Sequence, residues 1–295
     1  MRGLPRPGGG ARGEAAGSIG GFIAKSPVGG FAGNDHSTLM KRLPWWRRPY
    51  FARRVLEIGP GHNPFAGVTH LLERDIADGR ERGGHALLVP TAAKLIVGEA
   101  TVLPFAAASF DFVYASHVLE HVENPAAACR ELMRVGRAGY IETPSPFLEQ
   151  GLALRDETSP EHWFHRWFVF SPSPGLLVFE PKSVAEVRRF CSCPDGQFLR
   201  EFYESLDFSQ AQHFFRRSSK TTMFYWKTSF QVEARDHQVD CRKEGRPCRF
   251  VGMRRALIAN CNDLLRAGRV RRLPQQFPKS RAVFRKYGQS SLFVR

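Results

Sequence analysis

The residues best suited to chemistry fall into two groups. The first is the run Val55-Leu56-Glu57-Ile58-Gly59-Pro60-Gly61-His62-Asn63-Pro64, where an apolar stretch breaks into a glycine-rich turn. Gly59 and Gly61 let backbone come close to a ligand, because side chains there would fill its space. Pro60 stiffens the turn. Asn63 either donates an amide hydrogen bond or caps a helix expected to begin after Pro64. Such a turn suits a nucleotide-like ligand, and the absent third glycine argues against a dinucleotide pyrophosphate cradle. In Thr69-His70-Leu71-Leu72-Glu73, the final carboxylate stands where it can accept both protons of a ribose diol, with Asp75 as the rival acid. The second group is histidine: His117, in Ala115-Ser116-His117-Val118-Leu119-Glu120-His121, and His165, in Glu161-His162-Trp163-Phe164-His165-Arg166-Trp167-Phe168. A reference pKa of about 6.5 suits either to proton transfer near neutral pH. The plainer role for each is shaping a loop, and Glu120 is expected to face away from His117.

These residues need elements to hold them. The pattern predicts strands over residues 54–58, 70–73, 95–97, 110–116 and 139–143, with a crossover helix over 124–135. Strand and helix signals alternate, which argues for a doubly wound α/β sheet. Ser116 and His117 then fall at the carboxyl end of the fourth strand. After Pro144 the pattern changes. Residues 168–170 and 176–179 read as a hairpin, 183–190 as a short helix and 222–232 as one aromatic strand. In an extended conformation Trp163, His165 and Trp167 would share one side, a wall suited to a polar or anionic acceptor.

Composition bounds the rest. The chain has 295 residues, 42% hydrophobic, and a formal charge of +15. No apolar run approaches the ~20 residues of a membrane span. No signal-peptide segment is evident either, so a cytoplasmic location is the default. Trp45 and Trp46 among basic residues leave peripheral membrane contact open. Residues 1–38 are a glycine-rich extension expected to be disordered, 39–235 the globular domain with a substrate or lid region after its fifth strand, and 236–295 a basic appendage. From Arg242 onward there are 15 Lys and Arg against two acids, so this appendage carries nearly all the net charge. It suits an anionic partner, or serves as a solvated tail. Six cysteines do not describe a disulfide scaffold. Cys191 with Cys193, and Cys241 with Cys248, lack the two-to-four-residue gap common in zinc knuckles, so no metal site is expected.

Further segments carry a resemblance: Gly98-Glu99-Ala100, Leu103-Pro104-Phe105, Phe110-Asp111, Leu119-Glu120-His121 and the stretch from Glu131 to Glu142. With the glycine turn, and in this order over residues 54–145, they resemble class I S-adenosylmethionine-dependent methyltransferases, in the broad subgroup with Leu-Pro-Phe, Phe-Asp and Leu-Glu-His signatures. The resemblance implies a Rossmann-like, seven-stranded fold closing on a late antiparallel hairpin. It implies S-adenosyl-L-methionine as cofactor, held by Glu57, Gly59, Pro60, Gly61, Asn63, Glu73, Glu99, Ala100, Ser116 and His117. Glu57 would join the polar network around the methionyl part. Glu99, standing where aspartate is commoner, would address the adenine amino group. Residues 101–105 would form an apolar wall.

The expected activity is methyl transfer to an oxygen or nitrogen of a small-molecule or metabolite acceptor, by direct in-line displacement. His117 and His165 are the catalytic candidates. Two other readings stand beside it: an RNA methyltransferase guided by the basic segment, and a non-catalytic S-adenosylmethionine-binding interaction protein. Acceptor identity and oligomeric state are not legible.

Overall fold

The structure is a computed structural model and describes residues 52–65, 67–77, 79, 82, 84–155, 165–182, 191–205, 220–258 and 278–287. The expected glycine-rich extension, Trp45 and Trp46, Trp163 and the helix expected over 183–190 lie outside the described residues.

The core is a six-stranded sheet built from β1 (Val55–Ile58), β2 (His70–Glu73), β3 (Lys94–Val97), β4 (Phe112–Ser116), β5 (Ala138–Pro144) and β8 (Thr221–Lys227). Their order across the sheet is β3-β2-β1-β4-β5-β8. The first five are parallel and β8 runs antiparallel to β5. Alternation along the buried strands sends Leu56, Ile58, Val113, Ala115 and Ile141 to one apolar cluster. Their neighbours Val55, Leu71, Phe112, Tyr114 and Tyr140 go to another, as a strand covered on both faces requires.

The first cluster is closed by α1 (Pro125–Val135) and by a second sheet, β6 (Trp167–Ser173), β7 (Leu176–Pro181) and β9 (Gln231–Ala234). Helix α1 starts where Asn124 accepts the Ala127 N–H and Pro125 occupies the first turn, and it stops at Gly136. Its buried stripe is Ala128, Cys129, Leu132 and Val135. Gly139 is needed for close approach: a Cβ there would stand 2.4 Å from the Val113 carbonyl and 2.7 Å from the Trp226 ring.

Beyond β5 a third apolar cluster joins α2 (Pro146–Arg155) through Phe147, α3 (Pro194–Glu204) through Phe198, Leu199 and Phe202, and α5 (Pro278–Lys286) through Phe284. Phe250 and Leu257 complete it, and the short α4 (Cys241–Glu244) lies beside it. Among the described residues no helix is long and apolar enough to cross a membrane.

Several expectations are corrected. The main sheet shows six strands among the described residues, so the expected seven-stranded topology is not confirmed. The run 222–232 is not one strand: it bends at Thr228, whose φ is +68°, and sends β8 and β9 to different sheets. The fourth strand begins at Phe112, since the Phe110 N–H is spent on the Val135 carbonyl at the end of α1. There is no helix after Pro64 among the described residues. Only eleven residues, 59–69, join β1 to the parallel β2, and they form turns closed by Val68 N–H to Phe65 O and Thr69 N–H to Val55 O.

Candidate functional site

In a parallel sheet the carboxyl ends of the strands share one edge. Here that edge gathers the turn after β1, Glu73 at the end of β2, Glu99 just past β3, and Ser116 with His117 at the end of β4. Strand order reverses between β1 and β4, the place where the loops of an open α/β sheet diverge and ligands bind in such folds. The expected cofactor residues therefore lie along one border of the sheet.

Within the turn their roles separate. Gly59 and Gly61 both have positive φ, +60° and +61°. A Cβ on Gly59 would meet Val118 Cγ2 at 2.6 Å, so that glycine serves the packing of the β4 exit loop. Gly61 has only Arg82 Cγ near, at 3.9 Å, and it keeps the approach a ligand would use. Pro60 is buried and Asn63 half-buried. With no helix behind it among the described residues, Asn63 is not the cap of one. Glu57 is 2% exposed, and its carboxylate accepts the Phe65 N–H at 2.7 Å, tying the two ends of the turn. Burial pushes its pKa up to about 8, against the smaller opposing effect of that hydrogen bond.

Glu73 ends β2 with Arg82 Nη1 at 3.8 Å. The Arg82 guanidinium also donates to the Asp75 and Ile76 carbonyls, so it is clamped over the exit of β2. Asp75 itself is exposed and accepts the Ala77 N–H, as a loop acid does. Glu99 is exposed, while Ala100 and Leu103 are buried; Phe105 packs edge-on against Phe110. Ser116 Oγ is buried without a hydrogen-bond partner among the described residues. A buried orphan hydroxyl, an open glycine and a half-buried strand-end acid fit an adenosyl ligand.

Next to this edge lies a cluster of acids and histidines. His117 has a φ of +56°, a conformation non-glycine residues seldom adopt, and its N–H is anchored to the Glu142 carbonyl. Its ring stands between two buried carboxylates, with Nδ1 3.4 Å from Glu120 and Nε2 3.9 Å from Glu142. Glu120 thus faces His117, contrary to expectation, because residues 119–121 form a turn and not a helix. Its carboxylate is fully buried and in no hydrogen bond within normal limits. Burial would raise its pKa, but His117, His121 and His165 hold it below the usual range.

His165 arrives from the segment leading into β6. Its ring meets that of His121 edge-on at 4.6 Å, and its Nδ1 lies 2.5 Å from Glu149 of α2. Glu149 also pairs with the buried Lys182 ammonium. Burial opposes charge on both His165 and Glu149, but their mutual attraction wins, raising the histidine and lowering the acid to about 2. Glu120, His121 and His165 present atoms within 4.8 Å of one another. Beside them, Glu149 is shared between His165 and Lys182, so opposite charges lie in close contact here. The sequence pattern did not point to Glu142, Glu149 or Lys182. A glutamate inside Tyr140-Ile141-Glu142-Thr143, a strand buried on both faces, was the available signal; Lys182 gave none.

A family model described as a methyltransferase domain matches residues 69–141. No curated protein matches the chain. Among solved structures, the [4+2]-cyclase SpnF is 21% identical over 31% of this chain and 39% of its own, with a TM-score of 0.25. A Thermotoga maritima protein described as an S-adenosylmethionine-dependent methyltransferase, possible histamine N-methyltransferase, is 26% identical over 38% of this chain and 53% of its own, with a TM-score of 0.28. The PH0226 protein from Pyrococcus horikoshii is 18% identical over 47% and 72%, with a TM-score of 0.31. The matched part therefore spans 39% and 53% of the first two structures.

Proposed function

We propose, from the methyltransferase-type, Rossmann-like α/β fold of this chain, that it transfers a methyl group from S-adenosylmethionine to an oxygen or nitrogen of a small-molecule acceptor. The observation that carries this reading is the meeting, at one sheet edge, of an open glycine turn and strand-end acids with the accessible His117 and the buried Glu120 beside it. When bound, S-adenosylmethionine supplies an already activated methyl group. Gly61 leaves room for it, Glu73 takes the ribose hydroxyls once Arg82 swings aside, and Glu99 reaches for the adenine. The protein's remaining task is to hold the acceptor in line and to take its proton.

His117 is the base in this reading. It is the more accessible histidine, and the Glu120 carboxylate stands 3.4 Å from its Nδ1 to orient the ring. His165 is committed as a cation to Glu149; it keeps Glu120 ionised and offers positive charge to an anionic acceptor. Residues 39–235 constitute the transferase domain, with the segment after β5 contributing the acceptor side. Five basic side chains among the described residues of the C-terminal segment are spent on ion pairs, Arg249 with Glu180, Arg254 with Asp195, Lys286 with Glu201, Arg246 with Glu233 and Glu244, and Lys243 with Asp240, which weakens the RNA-guiding alternative.

The test is calorimetric titration of the purified chain with S-adenosylmethionine and S-adenosylhomocysteine, then assays for S-adenosylhomocysteine release across acceptor pools. Saturable binding with turnover on an O–H or N–H acceptor supports the reading. Absence of heat with either ligand on folded protein overturns it, and binding without turnover on any pool leaves the interaction-protein alternative standing in its place.

A further inference from the structure

The two cysteine pairs that the sequence spacing keeps apart meet in the fold. Cys191 and Cys193 precede α3, Cys241 opens α4, and Cys248 closes the loop after it; their four sulfurs lie within 4.8 Å of one another. The loop between Cys241 and Cys248 turns at Gly245, in the left-handed region at φ +62°. Cys191 and Cys241 are in bonding contact as a disulfide pair. That pairing leaves Cys193 and Cys248 unexplained. Cys248 Sγ lies 3.1 Å from Cys193 Sγ and 3.1 Å from Cys191 Sγ, so the contacts run through all four sulfurs and do not divide into two separate pairs.

We propose that Cys191, Cys193, Cys241 and Cys248 bind one structural zinc ion. Tetrahedral zinc with Zn–S distances of about 2.3 Å places its sulfurs about 3.8 Å apart, which this cluster reaches by small adjustments. The surroundings suit thiolates. The Gly196 N–H donates to Cys193 Sγ at 3.3 Å and the Phe250 N–H to Cys248 Sγ at 3.4 Å, the outer support that a charged sulfur needs. The Arg249 guanidinium is buried in the residue next to Cys248, its charge shared with Glu180. Once a thiol or phosphine reductant has delivered two electrons to the Cys191–Cys241 disulfide, binding converts the four thiols to thiolates and releases their protons to solvent, with zinc itself unchanged in oxidation state. All four positions are filled by protein, so the ion has a structural role and not a catalytic one. It would staple the start of α3 to the 241–250 segment, beside the cluster built from Phe198, Phe250 and Phe284.

The experiment uses the full chain, purified with a phosphine reductant and no chelator. Elemental analysis is expected to find about one zinc per chain. Replacement by Co2+ is expected to give the intense visible and near-ultraviolet bands of tetrahedral cobalt thiolate. Cys193→Ser and Cys248→Ser should each abolish those bands, while Cys129→Ser leaves them intact. Because a serine variant can simply fail to fold, the cobalt spectrum of the unaltered chain is decisive by itself. A weak octahedral spectrum overturns the proposal. So does metal-free folded protein in which peptide mapping under non-reducing conditions recovers a Cys191–Cys241 disulfide.

Discussion

His117 stands in a backbone conformation that costs on the order of 1–3 kcal/mol for a side-chain-bearing residue, and such strain is kept where it serves a site. Asparagine tolerates the same conformation but cannot shuttle a proton, so His117→Asn is expected to fold normally. It should lower turnover about 100-fold or more and leave S-adenosylhomocysteine affinity within about threefold by calorimetry. Arg82 offers a test of the cofactor site. If its pairing with Glu73 competes with ribose, Arg82→Ala should tighten cofactor binding by up to about fivefold, the value of a weak, half-buried ion pair at 3.8 Å; weaker binding would make Arg82 a ligand contact instead. Glu57 carries a pH signature. Its folded pKa of about 8 lies above the ordinary 4.5, so the stability gained by keeping it protonated is fully present below pH 4.5 and lost as pH rises through 8. Urea midpoints across that window should decline less steeply in Glu57→Gln. The strand-end positions of Glu73, Ser116 and His117 were legible because alternation fixes where strands stop. The inward turn of Glu120 was not, since it depends on a left-handed residue three positions earlier that no periodicity reveals.

At the level of elements, the parallel strands were legible nearly to the residue, because a strand buried on both faces must be apolar throughout. The missing helix after Pro64 was not: glycine, proline and asparagine mark a turn but leave open whether helix or further turn comes next. The break at Thr228 escaped for a related reason, since aromatic residues continue on both sides of the bend. Gly139 shows how tightly β4, β5 and β8 are joined. Alanine there would press on backbone and on Trp226, and the expected loss is about 3 kcal/mol in chemical denaturation. The Glu149–His165–Lys182 cluster ties α2 to the entry of β6 and the exit of β7. Glu149→Gln would strand buried positive charge and should cost about 3 kcal/mol. The raised histidine contributes stability below its ordinary pKa and loses it as pH rises through the folded value. The lowered acid contributes above its ordinary pKa and loses it as pH falls through about 2. The pair is therefore strongest between about pH 4.5 and 6.5, and the Gln variant should differ most from the parent there.

For the molecule as a whole, the uneven charge was plain in the sequence, but its use was not. Part of the basic segment folds against the rest of the chain: Phe284 of α5 is 1% exposed, its ring 5.4 Å from both Phe198 and Phe202. Truncation after Asp240 should therefore lower the melting temperature and not merely remove a tail, and Phe284→Ala alone should cost about 3–5 kcal/mol. Binding of anionic partners is better probed with the exposed Lys279 and Arg285 changed to Gln, which alters charge without touching that packing. The sheet's connectivity has a further consequence, for synthesis on the ribosome. Strand β5 ends at Pro144, but the strand that covers its outer edge begins only at Thr221. While the intervening chain is being made, the growing polypeptide carries a bare strand edge, a template for pairing with a neighbouring nascent chain.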